Sequence, residues 1–364
     1  MTTGVTYRHP SVIGGEAGQE LVKALAVFYT SPRLSVVDGT TFVSISEPTD
    51  LSPAGLEAIV RHFLRGRREQ SEVELRPLSS YRPPLAASLT DDRSETGPGI
   101  YLAGPQWTSA KAWLRRQIVG MLPARVGATF LEVPSQISED VLVRAGYFEK
   151  FPHLVSAIGH LRPEYWDQVT VSALRREQTS ARRSFYETSN TVLNPVTCYH
   201  VYSNAHTLQR QNNQSNGLFA IEGSVFRHEG RSLGPTRLSE FTMFELVKMG
   251  TVPDVEDSAE AFRLAFEHFF DQLSVPYRIV SASDAFFGDE PSLRRSSQLR
   301  SHSKYEIRIP MADGELSVAS INRHSDSFVE PFGLQTLGVE ATCCAGIGID
   351  RLLSALQAYG LAPT

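Results

Sequence analysis

Cysteine is scarce in this chain: there are three in 364 residues, and two of them are neighbours, Cys343 and Cys344. So few thiols cannot build the disulfide framework that staples small secreted domains, which leaves them as free thiols or metal ligands. Long apolar runs are missing too, and with them any segment that could cross a bilayer as a helix. The chain also lacks an excess of positive charge. A formal net charge of −5 gives no general attraction to a polyanion, which ordinarily shows as a basic domain or stripe. The opening MTTGVTYRHPSVIGG has no basic patch followed by an apolar stretch and a small-residue cleavage site. A soluble, cytoplasmic protein is therefore expected.

What is present has globular proportions, with 41% hydrophobic and 21% charged residues. The length exceeds one ordinary compact domain, so a large core with a smaller appendage is expected. The segment RPLSSYRPPLAASLTDDRSETGPG, residues 76–99, is rich in Pro, Ser and Thr and poor in periodic apolar residues, the composition of a linker. It separates residues 1–96, a small α/β unit with its linker, from residues 97–364. In the first part LSVVDGTTFVSIS reads as two strands around the turn Asp38-Gly39, and LSPAGLEAIVRHFLRGRR as a helix with Ser52 at its N-cap and Pro53 at N1. In the second, SAKAWLRRQIVGML places apolar residues 114, 118 and 121/122 on one helical face, and ATFLEVPS follows as a strand stopped by Pro134. Residues 257–273 align Phe262, Phe266, Phe269, Phe270 and Leu273 in a stripe, which reads as a core face. FAIEGSVFRHEG, RLSEFTMFELVKMG, SKYEIRIPM and ELSVASINRH are strand-like runs joined by turns. Together these predict an α+β fold, an antiparallel sheet flanked by helices.

One stretch concentrates chemistry. SVFRHEGRSLGPTRLSEFTMFE, residues 224–245, carries Arg227 and Glu229 before a Gly/Pro-containing turn, and Arg237, Phe241 and Glu245 after it. Strand parity would put Arg227 and Glu229 on one face, and the four-residue spacing would do the same for Arg237, Phe241 and Glu245. Arginine forks suit phosphate oxygens, a carboxylate accepts from an exocyclic amine, and an aromatic ring stacks on a purine. This is an ATP site without a glycine-rich phosphate loop. Taken alone, the stretch also reads as an exposed, charge-paired hairpin.

The pattern F-R-x-E, loop, R-x-x-x-F-x-x-x-E resembles motif 2 of the class II aminoacyl-tRNA synthetases. CCAGIGIDRLLSAL, with Gly346, Gly348 and Arg351 at a strand–helix junction, resembles their motif 3, and the helix and strand ending at Pro134 resemble motif 1, which implies a homodimer. Within that class, GYFEKFPHL, NPVTCYHVY, FRHEG, SDAFFG, SKYEI, SINRHSDSF and CAGIGIDR look like successive blocks of the amino acid:carrier-protein ligases. These are relatives of the zinc-dependent seryl-tRNA synthetases of methanogens. The blocks run from about Gly97 to the C-terminus, nearly three quarters of the chain, and the N-terminal unit lies outside them.

The resemblance implies ATP-dependent activation of a small amino acid as an adenylate, then transfer to the phosphopantetheine thiol of a carrier protein. It implies zinc held by Cys198, Glu245 and Cys344, with a fourth position open to the substrate's amine, and it leaves Cys343 to packing. Arg227 would serve the α-phosphate and Arg351 the γ-phosphate. Glu229 would accept from the adenine amine or orient the nucleotide, Phe241 would stack on the ring, and Arg237 would assist the triphosphate. Mg2+ would accompany ATP, with Glu306 or Glu315 as its carboxylate. Ser320 and Asn322 would line the substrate pocket. His324 is expected to be structural or to stand behind a ligand, and Asp284 and Lys304 have no role derivable from sequence. Three features depart from the family: a motif 2 loop one residue longer, Ala285 where proline is usual, and Asp350 where glutamate is commoner. The rival expectations are tRNA charging, for which a basic arm is missing, and a degenerate paralogue with a binding role. Glycine, alanine and serine all remain open as substrates, because discrimination by a methylene is modest.

Overall fold

The structure, a computed structural model, describes residues 4–13, 15–29, 31–46, 50–65, 72–78, 91–175, 179–212, 217–230, 234–284, 286, 291–312 and 314–363. Its centre is an eight-stranded sheet in the order Glu74–Arg76, Arg278–Ser281, Lys304–Met311, Gly314–Ser325, Ala341–Gly348, Glu240–Gly250, Leu218–Phe226, Thr129–Glu132. All neighbours are antiparallel except the last pair, where Thr129–Glu132 runs parallel to Leu218–Phe226. The α+β expectation holds, with that one parallel edge.

One face of the sheet is covered by the helices Pro105–Val126, Val252–Leu273 and Ile349–Ala358. The phenylalanine stripe lies here: Phe262, Phe266, Phe269 and Phe270 are buried among sheet residues such as Leu246, Ile307 and Ile347. Their helix starts at Val252, five residues before the stripe suggests, because Thr251 and Asp254 form a reciprocal capping box with Pro253 in the first turn. T-V-P-D carried that signal in the sequence. The first helix likewise begins early, at Pro105. The Asp92 carboxylate accepts from the free N–H groups of Gln106 (2.9 Å) and Trp107 (3.0 Å) at its N-terminus.

The N-terminal unit is a three-stranded antiparallel sheet, Val5–His9, Thr40–Ile45, Pro32–Val37, with helices Gly15–Ala26 and Pro53–Leu64 and a core of its own. The Asp38-Gly39 turn is as expected, both residues having positive φ (47° and 74°), the conformation that matches strand twist in a two-residue hairpin. Ser52 caps the second helix by accepting from Gly55 N at 3.0 Å. The expected linker is not all connecting chain. Glu74–Arg76 forms an edge strand of the large sheet, and Ser94–Gly97 pairs with Ile100–Leu102; residues 79–90 lie outside the described residues.

Candidate active site and metal centre

The second face of the sheet carries the polar residues. Period-two alternation and register decide which these are. One cross-strand row is Glu245, Gly346, Ser320, Glu306, and the next is Val247, Cys344, Asn322, Lys304. Cys343 points the other way, its thiol reaching the Val255 carbonyl at 3.5 Å beneath the helices. The two neighbouring cysteines are thus separated by the thickness of the sheet, in keeping with the packing role expected for Cys343.

Cys198, which opens the short helix Cys198–Ser203, is brought over the same face. The turn leading into it is fixed by Asn194, whose amide donates to Ser224 O at 3.3 Å and whose side-chain oxygen accepts from Val196 N at 3.2 Å. As a result one sulfur each of Cys198 and Cys344 and one oxygen of Glu245 lie within 4.8 Å of one another, all three residues buried. Gly346 keeps the space open, since a Cβ there would stand 3.1 Å from Glu245 Cγ and 3.3 Å from Met243 Sδ.

The electrostatics of the cluster suit a cation. Burial, reinforced by Cys344, pushes the Glu245 carboxyl up to about 8, and Glu245 Oε2 has no hydrogen-bond partner while Oε1 accepts from the Thr197 hydroxyl. Burial also raises the Cys198 thiol. Cys344 is held well below a thiol's ordinary value because the Cys198 S–H donates to it and His324 and Asn322 add to the effect. A tetrahedral zinc with bonds of about 2.0–2.3 Å sets its ligand atoms roughly 3–4 Å apart, so two sulfurs, one carboxylate oxygen and a free coordination position fit the ion with small side-chain adjustment.

The hairpin departs from expectation in one respect. Its strands end at Phe226 and restart at Glu240, so Arg227, Glu229 and Arg237 sit on the connection and not on strand limbs. Arg227 N makes one further rung to Ser239 O, and the chain then turns away, His228 N bonding to Leu154 O and Glu229 N folding back to Arg227 O. Strand parity therefore does not align these three. The turn does so instead: Arg237 pairs with Glu229 at 3.1 Å, and the Arg227 guanidinium donates to Pro195 O at 3.1 Å and lies 5.5 Å from the centre of the Phe241 ring. Phe241 and Glu245, on the return strand, do share a face as expected. Arg231, Ser232 and Leu233 of the longer loop, and Ala285, lie outside the described residues.

Arg351 donates to Thr236 O at 3.0 Å and lines a cleft with Pro235, Leu238 and Phe241. Burial lowers its pKa, with Glu229 and Glu306 opposing and Arg237 and Arg227 adding to the shift, which places all five charged groups within electrostatic reach of one another. Asp350 is spoken for: it accepts from Lys111 Nζ and from Thr242 N, each at 2.7 Å, and so ties the last helix to the return strand. Asp284 and Lys304, which carried no role in the sequence, form an ion pair at the end of the second row, and Lys304 also approaches Glu306 at 3.4 Å. Glu315 is not brought into this group. It is exposed near the far end of its strand, where both its oxygens accept from Arg278 at 2.6 Å. Ser320 and Asn322 face the site, the Asn322 amide donating to Ser320 Oγ at 3.2 Å. Thr197 was missed from sequence, where nothing but its position before Cys198 singles it out.

The N-terminal unit reaches this site. Gly230, directly after Glu229, has φ +65°, and a Cβ on it would lie 1.6 Å from the carbonyl oxygen of Val27, so only glycine fits between the loop and the end of the first helix. On the other side, the Arg295 guanidinium lies 5.0 Å from the centre of the Phe63 ring of the second helix.

Residues 187–359 match the family model for the tRNA synthetase class II core domain (G, H, P, S and T), and the chain carries that domain. Among curated proteins it is similar to amino acid–acyl-carrier-protein ligase 1 of Bradyrhizobium diazoefficiens, 29% identical over 286 residues spanning 75% of this chain and 86% of that one. Ligase 2 of the same organism is 26% identical over 231 residues, 62% of this chain and 68% of the other. In fold it is similar to M. kandleri SerRS, solved in complex with A. aeolicus tRNASec, with a TM-score of 0.64 at 16% identity over 93% of this chain and 73% of the synthetase.

Proposed function

We propose that this protein activates a small amino acid with ATP as an aminoacyl adenylate and passes the aminoacyl group to the phosphopantetheine thiol of a carrier protein. The observation that carries the reading is a sulfur–sulfur–oxygen ligand set on one sheet face together with a cleft lined by Arg351 and Phe241, with Arg227 and Arg237 within electrostatic reach of Arg351. Its similarity to two proteins named amino acid–acyl-carrier-protein ligases supports the choice of acceptor.

In the first half-reaction a carboxylate oxygen of the amino acid attacks the α-phosphorus of ATP. The new P–O bond forms as the bond to pyrophosphate breaks, and negative charge grows on the phosphate oxygens. The protein's task is positioning and charge stabilisation. Arg227 neutralises the α-phosphate, Arg237 and Arg351 the departing pyrophosphate, Glu229 orients the adenine and Phe241 stacks on it. Of the two candidate carboxylates for Mg2+, Glu306 is favoured by its place beside Ser320 in the ligand-bearing row, where Arg308 and Lys304 also pair with it, while Glu315 stands near the far end of its strand against Arg278. Zinc held by Cys198, Glu245 and Cys344 supplies, when bound, an open coordination position for the α-amine. Ser320 and Asn322 border the amino acid, and coordination of the amine by the metal favours a small side chain. In the second half-reaction the acceptor thiol attacks the adenylate carbonyl and AMP leaves, with the thiol nucleophilic enough to need no dedicated base.

The edge position of Thr129–Glu132, beside the helix Pro105–Val126, supports a homodimer through this edge. Among the described residues no helix is long and apolar enough to cross a membrane.

ATP–pyrophosphate exchange across the standard amino acids tests the first half: exchange with glycine, alanine or serine is expected, and none with any of the twenty would overturn it. Transfer assays with holo carrier protein and with bulk tRNA test the second. Labelled tRNA with no labelled carrier protein would replace the acceptor.

A further inference from the structure

We infer that Thr197, Asn322 and His324 form a hydrogen-bonded collar that positions and tunes the metal ligands Glu245 and Cys344. The inference rests on the proposed metal centre and goes beyond its three ligands. It starts from an asymmetry among them. The Cys344 sulfur is approached by two nitrogen groups, His324 Nε2 at 3.4 Å and the Asn322 amide nitrogen at 3.7 Å. Cys198, by contrast, is in contact with the other two ligands, Cys344 and Glu245.

Neither nitrogen reaches the sulfur by accident of rotamer. Asn322 is the direct cross-strand partner of Cys344, so the register of the sheet sets the two side by side on one face. Its amide is held from the other side by Ser320 Oγ. His324, two residues further along the same strand, is fixed by an edge-on contact with Phe328, ring centres 4.9 Å apart at 62°. A nitrogen that faces a thiolate donates to it, which puts the proton of His324 on Nε2. Thr197, buried beside Cys198, does the corresponding work for Glu245. Its hydroxyl donates to Oε1 and leaves Oε2 without a partner, so one oxygen is anchored and the other is free for a cation.

The chemistry of such donors is directional. An N–H bonded to a thiolate draws negative charge off the sulfur and lowers the cost of keeping that sulfur ionised in a buried place. The metal it ligates is left more electron-poor and so a better acceptor for an incoming amine. Groups behind metal ligands hold their orientation as well, and losing one typically costs about 10–100-fold in metal affinity or activity. Asn322 is thereby a positioning residue as well as a neighbour of the amino acid, and His324 acts through Cys344.

The experiment measures metal directly in the full chain. Zinc affinity is read by chelator competition, and the sulfur-to-cobalt charge-transfer band is read in Co2+-loaded protein, for wild type, His324→Ala, His324→Gln, Asn322→Ala and Thr197→Val. His324→Ala and Asn322→Ala are expected to weaken zinc binding by about 10–100-fold and to move the cobalt band to lower energy, because a sulfur relieved of its donor gives up charge more readily. His324→Gln, which returns an N–H near the Nε2 position, is expected to recover both. Thr197→Val is expected to weaken binding with the band in place, since its bond is to oxygen. Wild-type affinity and an unmoved band in both His324→Ala and Asn322→Ala would overturn the inference, as would His324→Gln behaving like His324→Ala. If wild type binds neither metal, or Cys344→Ala binds as tightly as wild type, the metal centre itself is wrong and the collar falls with it.

Discussion

Cys343 and Cys344 are covalent neighbours in environments with almost nothing in common. Cys343 belongs to the helix-covered face, where Phe262, Phe266, Phe269, Phe270, Leu246 and Ile347 form an apolar interior. Cys344 belongs to the other face, whose rows carry Glu245, Glu306, Lys304, Ser320 and Asn322. A two-residue period lets the same strands serve both, one side supplying stability and the other holding ionisable groups that a sheet would otherwise exclude. The charges are tolerated because they are paired: Lys304 with Asp284 and Glu306, Glu306 with Arg308, Arg237 with Glu229. Chemistry on one face depends on packing on the other, and substitutions should separate the two.

The widest separation is expected at the cleft. Arg351→Ala should lower kcat/KM for ATP–pyrophosphate exchange by about a thousandfold or more, the range for an arginine that meets developing phosphate charge, with the melting temperature little changed. Next comes the cysteine pair. Cys344→Ala should leave the protein without stoichiometric zinc in elemental analysis and without exchange, whereas Cys343→Ala should keep both; zinc lost equally from the two would break the comparison. On the helix face, Phe266→Ala should cost about 3–5 kcal/mol of folding stability in denaturant titration while the folded fraction retains its exchange constants. Glu306→Gln should raise the Mg2+ requirement for exchange by about tenfold, from loss of a single carboxylate contact. Glu315→Gln is the smallest, an exposed pair whose loss should shift stability by about 1 kcal/mol or less and leave the Mg2+ requirement where it was.

Much of this division can be read from the chain. The phenylalanine stripe and the alternating strands mark the helix face, because periodicity is a local property, whereas Cys198, Glu245, Cys344 and Arg351 are singled out by the resemblance of their motifs, and the structure brings the first three together. What was not legible has a common cause. The strand ends at Phe226 because His228 N finds Leu154 O, a partner over seventy residues away in sequence. The grouping of Asp284 with Lys304, the exclusion of Glu315 and the donors around Cys344 likewise depend on register between strands distant in sequence. No local pattern encodes a register. The capping box at Thr251 and Asp254 is different: its signal, T-V-P-D, is local, and the aromatic stripe alone places the helix start five residues too late.

The short strand Glu74–Arg76 gives the large sheet one of its two borders, lying along Arg278–Ser281. A fragment beginning at residue 97 would keep Cys198, Glu245, Cys344, Arg227, Arg237 and Arg351, yet would bare the backbone donors and acceptors of Arg278–Ser281 to solvent and to other molecules of the fragment. Shortening this protein at its most obvious seam would therefore give a particle inclined to stick to itself, with the candidate site nominally intact.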